Sequence, residues 1–335
     1  MDKIKVIIYG CGVMGRNVAE ALCDKKSFEI VGAVDINPDL LGKDLGDILD
    51  APRKLGVTIE SDADSLFSRV QANAVVLTTT SHLKGVLPQI TQCAKAGLNV
   101  ISTCEELSYP WKRSPELAQD IDAIAKENGV TVVGTGINPG YLMDSLPLIL
   151  TAPCLRVDTI KVTRMMNSAR RRIPFQTKVG TSMTPEEFKT KIEEGIITGH
   201  VGLLESINMI AAGLGWELKR AIELPPEPVI TPRPVETGLG TVEPGNVIGL
   251  KSVAFAELPG GKKVITLEFF AYAGVEEEYD EVIIEGTPNI REKIIGGVHG
   301  DTGTVAMTIN TIPKAVEASA GIKIMTDIAA PSCAP

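Results

Sequence analysis

Residues 3–35 read KIKVIIYGCGVMGRNVAEALCDKKSFEIVGAVD, and this stretch decides the fold. Residues 4–9, IKVIIY, are a β-branched apolar run that stops at glycine, the pattern of a strand buried on both faces. Residues 14–25 continue with helical spacing, and residues 28–35, FEIVGAVD, form a second apolar run. Strand, glycine-rich turn, helix and strand in so short a span make one βαβ unit, whose two strands run parallel.

Outward from this unit the alternation continues. Residues 74–80 (AVVLTTT), 99–103 (NVIST) and 130–133 predict strands; residues 86–96 and 114–128 predict helices. Gly97 and Gly129 close those helices, and Ser114 with Pro115 opens the second. Repeated alternation predicts an α/β fold, a doubly wound parallel sheet over residues 1–140. The pattern changes after GINPG at 136–140. Residues 158–165, 263–273 and 280–285 predict longer strands, 184–194 and 201–214 predict helices, and the prolines of 224–234 mark a loop. A second, α+β domain is expected over 141–300, with a mixed or antiparallel sheet, for substrate binding and oligomerisation. Residues 301–320 are again helical and apolar, and the segment 301–335 is expected to return to the first domain.

The composition narrows the function. A chain of 335 residues with 44% hydrophobic and 22% charged residues has enough material for two cored domains. A net charge of −9 and 4% aromatic residues exclude a nucleic-acid binder in the ordinary sense. No apolar run approaches the ~18 residues that a membrane span needs. The six cysteines contain no CxxC pair, and none of the three histidines pairs with another at metal-ligand spacing, so no metal is expected. The chain enters its first strand without a leader-like segment, and its thiols read as reduced, which together point to the cytoplasm.

The turn GCGVMG at 10–15 is a GxGxxG motif placed after a strand and at the start of a helix, the context that marks a Rossmann dinucleotide site. Gly10 permits the tight turn, Gly12 lets the backbone approach a pyrophosphate, and Gly15 lets the helix pack close to the strand. The amides of Val13 and Met14 at the helix start then face the phosphate charge. Asp35, at the end of the second strand, is positioned to accept from ribose hydroxyls and to repel a 2′-phosphate. NAD is therefore favoured over NADP, with Arg16 as a nearby counterweight. Thr79, Thr80 and Ser81 close the next strand and are expected along the ribose and nicotinamide, though Ser81 also reads as a helix N-cap.

Hydride transfer needs a proton-active group beside the reacting carbon. Glu105 and Glu106 follow the strand 99–103, and consecutive side chains diverge, so one points to the cleft and the other away; both solvated is the competing reading. Cys104 beside two carboxylates is a poor thiolate. Arg164, Asn167 and Arg170 lie where a second-domain strand ends, a basic cluster suited to clamping a carboxylate or reading as a solvated turn. His299 sits in GGVHGD at 296–301, a flexible stretch before the last helix.

The segments GCGVMG, STCEELSYP at 102–110, TGINPGYLMDSLP at 135–147 and GDTGTVAMTINTIP at 300–313 resemble the 2,4-diaminopentanoate dehydrogenase family over essentially the whole chain. That family includes native amine dehydrogenases and shares its architecture with dihydrodipicolinate reductase and diaminopimelate dehydrogenase. The resemblance implies NAD(P)-dependent oxidative deamination at C4 of 2,4-diaminopentanoate, giving 2-amino-4-oxopentanoate and ammonia, a step of anaerobic ornithine breakdown. It also implies a glutamate base in the CEE segment, carried to Glu105 first with Glu106 in reserve, and partial burial would raise that carboxyl toward working pH. Asn138 in the NPGYLMD junction and His299 join the arginines and Asn167 as expected substrate contacts, and a homodimer through the second domain is expected. A dihydrodipicolinate reductase-like imine reductase is the nearest rival, but its paired-histidine, lysine-containing motif is absent. Sugar dehydrogenases carry Glu-Lys-Pro where this chain has Glu-Glu-Leu. A non-catalytic NAD(P)-binding redox sensor is the remaining alternative.

Overall fold

A computed structural model describes residues 3–50 and 52–335. The chain divides into two compact units: residues 1–141 with 299–335, and residues 142–298.

In the first unit the elements run β1 (Ile4–Tyr9), α1 (Val13–Cys23), β2 (Phe28–Val34), β3 (Ile59–Glu60), α2 (Ala63–Arg69), β4 (Ala74–Leu77), α3 (Leu83–Lys95), β5 (Asn99–Ser102), α4 (Pro110–Arg113), α5 (Pro115–Glu127) and β6 (Thr131–Gly134). Val6, Ile7, Ile8, Val75, Val76, Val100, Ile101, Val132 and Val133 are all fully buried. Both faces of each strand are covered, which is why these stretches read as continuous apolar runs instead of alternating ones. Alternate residues divide between two layers. Ile7, Val75, Leu77, Val100 and Val132 pack under α2, α3 and α5, and the intervening residues face the other layer.

In the second unit the order is α6 (Ser145–Leu150), β7 (Arg156–Asn167), α7 (Ile173–Lys178), α8 (Pro185–Glu193), α9 (Leu203–Gly213), β8 (Arg220–Glu223), β9 (Glu227–Ile230), β10 (Val235–Thr237), β11 (Gly240–Val242), β12 (Val247–Glu257), β13 (Lys263–Tyr272), β14 (Tyr279–Thr287) and β15 (Ile290–Ile295). Its main sheet has the order β15-β14-β7-β13-β12-β8, with β9 also on β12. The sheet is mixed: β7 and β13 are parallel, and the other pairs are antiparallel. Thr184 opens α8 with a capping box closed by Glu187. The proline-rich stretch read as loop contains β9, which docks on β12 through Val229 and Ile230.

The chain then returns through α10 (Gly300–Glu317) and β16 (Gly321–Lys323). β16 adds to the first sheet, whose order is β16-β6-β5-β4-β1-β2-β3 with every pair parallel. α10 packs against α1 and β5, so helices cover both faces of a doubly wound sheet. The strand order runs outward in opposite senses on either side of β1 and β4, which sets a crevice beyond their carboxyl ends.

Several expected boundaries move. β4 stops at Leu77, and Thr78–Thr80 form the loop beyond it. α3 starts at Leu83, before the expected 86, with His82 and not Ser81 as its N-cap residue. Ser114 stands at the N-cap of α5 but makes no side-chain cap bond, because its φ of −138° and ψ of 61° belong to the end of the preceding turn. No helix among the described residues is long and apolar enough to cross a membrane.

Candidate active site

The glycine turn shows three different reasons for glycine. Gly10 has φ of +97°, and a Cβ there would lie 2.9 Å from the Thr78 carbonyl oxygen. A Cβ on Gly15 would lie 1.8 Å from the Gly10 carbonyl oxygen, so α1 packs on the turn only without a side chain. Gly12 differs: its φ of −69° suits any residue, and a Cβ there meets nothing within 4 Å. Nothing within the protein demands glycine at this position, and the space in front of it is open. Gly12 is also the N-cap residue of α1 and supplies no side-chain cap, which leaves the first-turn amides, those of Val13 and Met14 among them, facing outward. The turn thus fits a dinucleotide pyrophosphate.

Asp35 follows β2 at the same edge. Its Oδ2 accepts from the Cys11 amide at 2.6 Å and its Oδ1 from the Asn37 amide at 2.8 Å. The carboxylate therefore braces the glycine turn as well as offering itself to a ribose. Cys11 is buried beside it, and burial first, then Asp35, pushes its thiol up to about 12. Thr78, at the head of the same hydroxyl-rich stretch, donates from Oγ1 to the Gly10 carbonyl at 2.8 Å and ties the β4 loop to the turn. Thr79 donates to Gln89 of α3 at 2.5 Å, Thr80 accepts from the His82 amide at 3.3 Å, and the Ser81 carbonyl accepts from the Glu106 amide at 3.3 Å.

β5 ends at Ser102, and residues Glu105–Leu107 form one turn of 3₁₀ helix. The two glutamates differ in burial. Glu105 is half-buried, and its main-chain carbonyl accepts from the Ser108 amide at 3.1 Å and from Ser108 Oγ at 2.7 Å. Glu106 is buried, with Oε2 accepting from the Leu83 amide at 2.7 Å and Oε1 lying 3.1 Å from His82 Nδ1 and 3.6 Å from Arg113. Burial works to raise the Glu106 carboxyl. The bonds from His82 and Leu83, with Arg113 nearby, outweigh it and hold the carboxyl below the usual range. The expected upward shift from partial burial therefore does not hold for Glu106, because its donors come with the burial. Cys104 is pushed up to about 12, mainly by burial and only secondarily by the two glutamates, so it is no nucleophile.

Asn138 and His299 also belong to the first unit. Asn138 precedes a cis proline in the loop after β6, and that loop is held by the Ile137 amide donating to Thr304 Oγ1 of α10 at 3.3 Å. His299 is the N-cap residue of α10. Its Nδ1 accepts from the Thr302 amide at 3.4 Å, so this ring nitrogen is engaged in capping instead of lying in a mobile stretch. The residues expected for cofactor and base, together with Asn138, therefore all come from loops and helix starts that follow the carboxyl ends of the parallel strands.

The second-unit candidates have other work within their own unit. Arg164 is 3% exposed; its Nη2 donates to the Val298 carbonyl at 2.6 Å, and Nη1 lies 3.7 Å from Asp280. Asp280 in turn accepts from the Val298 amide at 2.8 Å. So deep a guanidinium is a clamp on its own backbone, which corrects its expected place at an open strand end. Asn167 caps the turn Ser168–Arg170 by accepting from the Ala169 amide at 3.1 Å. Arg170 keeps an exposed side chain, 74%, and pairs with Glu278 at 2.7 Å. Among the described residues no group of three or more His, Cys, Asp or Glu could hold a metal ion.

Residues 141–334 match the family described as 2,4-diaminopentanoate dehydrogenase C-terminal domain, and residues 4–133 match dihydrodipicolinate reductase, N-terminus. The chain belongs to the 2,4-diaminopentanoate dehydrogenase family. It is 38% identical to 2,4-diaminopentanoate dehydrogenase of Acetoanaerobium sticklandii, over 99% of this chain and 95% of that one. The structure of amine dehydrogenase from Mycobacterium smegmatis superposes with a TM-score of 0.83 at 29% identity, covering 98% of this chain and 96% of that one. Dihydrodipicolinate reductase from Paenisporosarcina shares the fold, at TM-score 0.52 and 13% identity. The chain is an NAD(P)-dependent oxidoreductase of the amine dehydrogenase kind, as its motifs implied.

Proposed function

We propose that this protein oxidatively deaminates 2,4-diaminopentanoate at C4, with NAD preferred and Glu105 as the base. The observation that carries the reading is the place of the CEE segment: it follows β5 at the carboxyl end of the parallel sheet, where Glu105 is half-buried and Glu106 meets the Leu83 amide and His82. Likeness over nearly the full length to a protein named for that substrate supports the substrate assignment.

A protonated amine has no lone pair to drive hydride loss. Glu105 takes the ammonium proton and releases it to solvent, leaving a free amine. The bound nicotinamide supplies the hydride acceptor. As the C4–H bond breaks, the nitrogen lone pair closes the C=N bond of an iminium. Glu105 then takes a proton from the water that adds to C4 and returns it to nitrogen; as the C–N bond breaks, the hydroxyl proton passes to Glu105 and on to the departing ammonia, which leaves as ammonium. Atoms and charge balance: substrate ammonium, water and the oxidised cofactor become ketone, ammonium, reduced cofactor and one proton.

Asp35, with its carboxylate at the ribose end of the site, supports NAD over NADP. Free thiols at all six cysteines support a cytoplasmic protein, and a role in ornithine breakdown follows from the substrate. The reading includes a homodimer through the second unit. The test is direct: purified protein, NAD or NADP, and a panel of 2,4-diaminopentanoate, other diamino acids and simple amines, following reduced cofactor and released ammonia. Ammonia formed in step with NADH from 2,4-diaminopentanoate is expected; cofactor binding without any amine-dependent reduction would leave a sensor.

A further inference from the structure

Glu106 is where two strand-end loops are tied together. Its amide donates to the Ser81 carbonyl at 3.3 Å, its Oε2 accepts from the Leu83 amide at 2.7 Å, and its Oε1 meets His82 Nδ1 at 3.1 Å. Arg113 approaches the same Oε1 at 3.6 Å from α4. Leu83 is the first residue of α3, and the N-cap residue His82 makes no side-chain cap of its own. A first-turn amide of that helix is therefore capped by a carboxylate from a different segment. The positive end of α3 adds to His82 and Arg113 in favouring the ionised form. With 11% side-chain exposure, both oxygens are turned to protein donors.

We propose that Glu106 is a positioning residue: it staples the loop carrying Thr79, Thr80 and Ser81 to the turn carrying Glu105, and so sets the base against the cofactor. Given Glu105 as the base, as proposed above, the adjacent pair divides one task between two identical side chains. One carboxylate moves protons. Its neighbour holds the position and stays charged.

Three variants separate the roles: Glu106→Ala, Glu106→Gln and Glu105→Gln, each assayed for kcat and KM across pH and for NADH binding by fluorescence. Glu106→Ala should lower kcat about 10- to 100-fold, the equivalent of one or two charge-assisted hydrogen bonds. The acid limb of its pH profile should stay where the parent has it. Glu106→Gln should recover most of that loss, because its amide oxygen still accepts from Leu83. Glu105→Gln should abolish turnover with NADH binding retained. Parental kcat and NADH affinity in Glu106→Ala would overturn the staple. So would a Glu106→Gln enzyme as dead as Glu106→Ala with its acid limb gone, since Glu106 would then be the base. Near-parental turnover in Glu105→Gln, with the Glu106 pair behaving as stated, would sink the base assignment alone and leave the staple supported.

Discussion

Replacing Gly12 or Gly15 with alanine adds the same methyl group three residues apart, and the structure assigns the two changes different consequences. At Gly15 the new carbon would sit 1.8 Å from the Gly10 carbonyl oxygen, where ordinary contact begins at 3.4 Å. The helix and the turn would have to separate by about 1.6 Å in a fully packed layer. That exceeds what a side-chain shift can absorb, so the cost is expected at the upper end of overpacking, about 3 kcal/mol. At Gly12 the backbone angles suit alanine, and nothing lies within 4 Å. Only the weaker N-cap preference of alanine acts there, about 0.5 kcal/mol. The methyl would instead stand in the pyrophosphate seat and should weaken NADH binding at least 10-fold, about 1.4 kcal/mol. Urea unfolding read alongside NADH fluorescence titration distinguishes the two effects. Gly15→Ala should lose stability first, and Gly12→Ala should lose cofactor with its unfolding midpoint nearly kept. Parental NADH affinity in a folded Gly12→Ala protein would refute the placement of the cofactor at this turn.

Other consequences follow from the same geometry. Asp35→Ala should raise the NADP-to-NAD ratio of kcat/KM and also lower stability by about 1–3 kcal/mol, because the Cys11 amide loses its carboxylate acceptor; an unchanged cofactor ratio would count against Asp35 as the ribose reader. Asp280→Ala leaves the buried Arg164 guanidinium without its counter-charge and should cost about 3–5 kcal/mol in denaturant unfolding, whereas a near-neutral result would mean that Arg164 is solvated. Glu106 has a lowered folded pKa, so it contributes stability above the usual carboxylate range, and that contribution is lost as pH falls through its folded value. The stability gap between parent and Glu106→Gln should accordingly shrink in acid, and a gap that widens there would contradict the direction of the shift.

The βαβ unit at the chain start was legible because its period, its glycines and its length all agree. Buried parallel strands such as Ala74–Leu77 declare themselves as unbroken apolar runs. Their ends do not: Thr78–Thr80 continue the β-branched pattern into the loop, since threonine suits both a strand and a hydrogen-bonded turn. β16, three residues long, carries no period to read and is held by pairing with β6. β12 went unread although it spans Val247–Glu257, because Gly249, Lys251 and Ser252 interrupt its pattern; Gly249 adopts φ of +143° where β9 joins with a shifted register. The CEE segment was legible as a site but not as a division of roles. That Glu106 meets the Leu83 amide and His82 depends on contacts with a separate segment that local sequence does not encode. The same holds for Arg164, whose burial follows from its register opposite Asp280 on β14.

The measurement closest to the central claim is single-turnover NADH formation by the Glu105→Gln protein, preloaded with NAD and mixed with 2,4-diaminopentanoate. The account predicts that hydride transfer slows by about 100-fold or more, the share of a general base, while NADH affinity stays within a few-fold of the parent. A parental rate of NADH formation would contradict it.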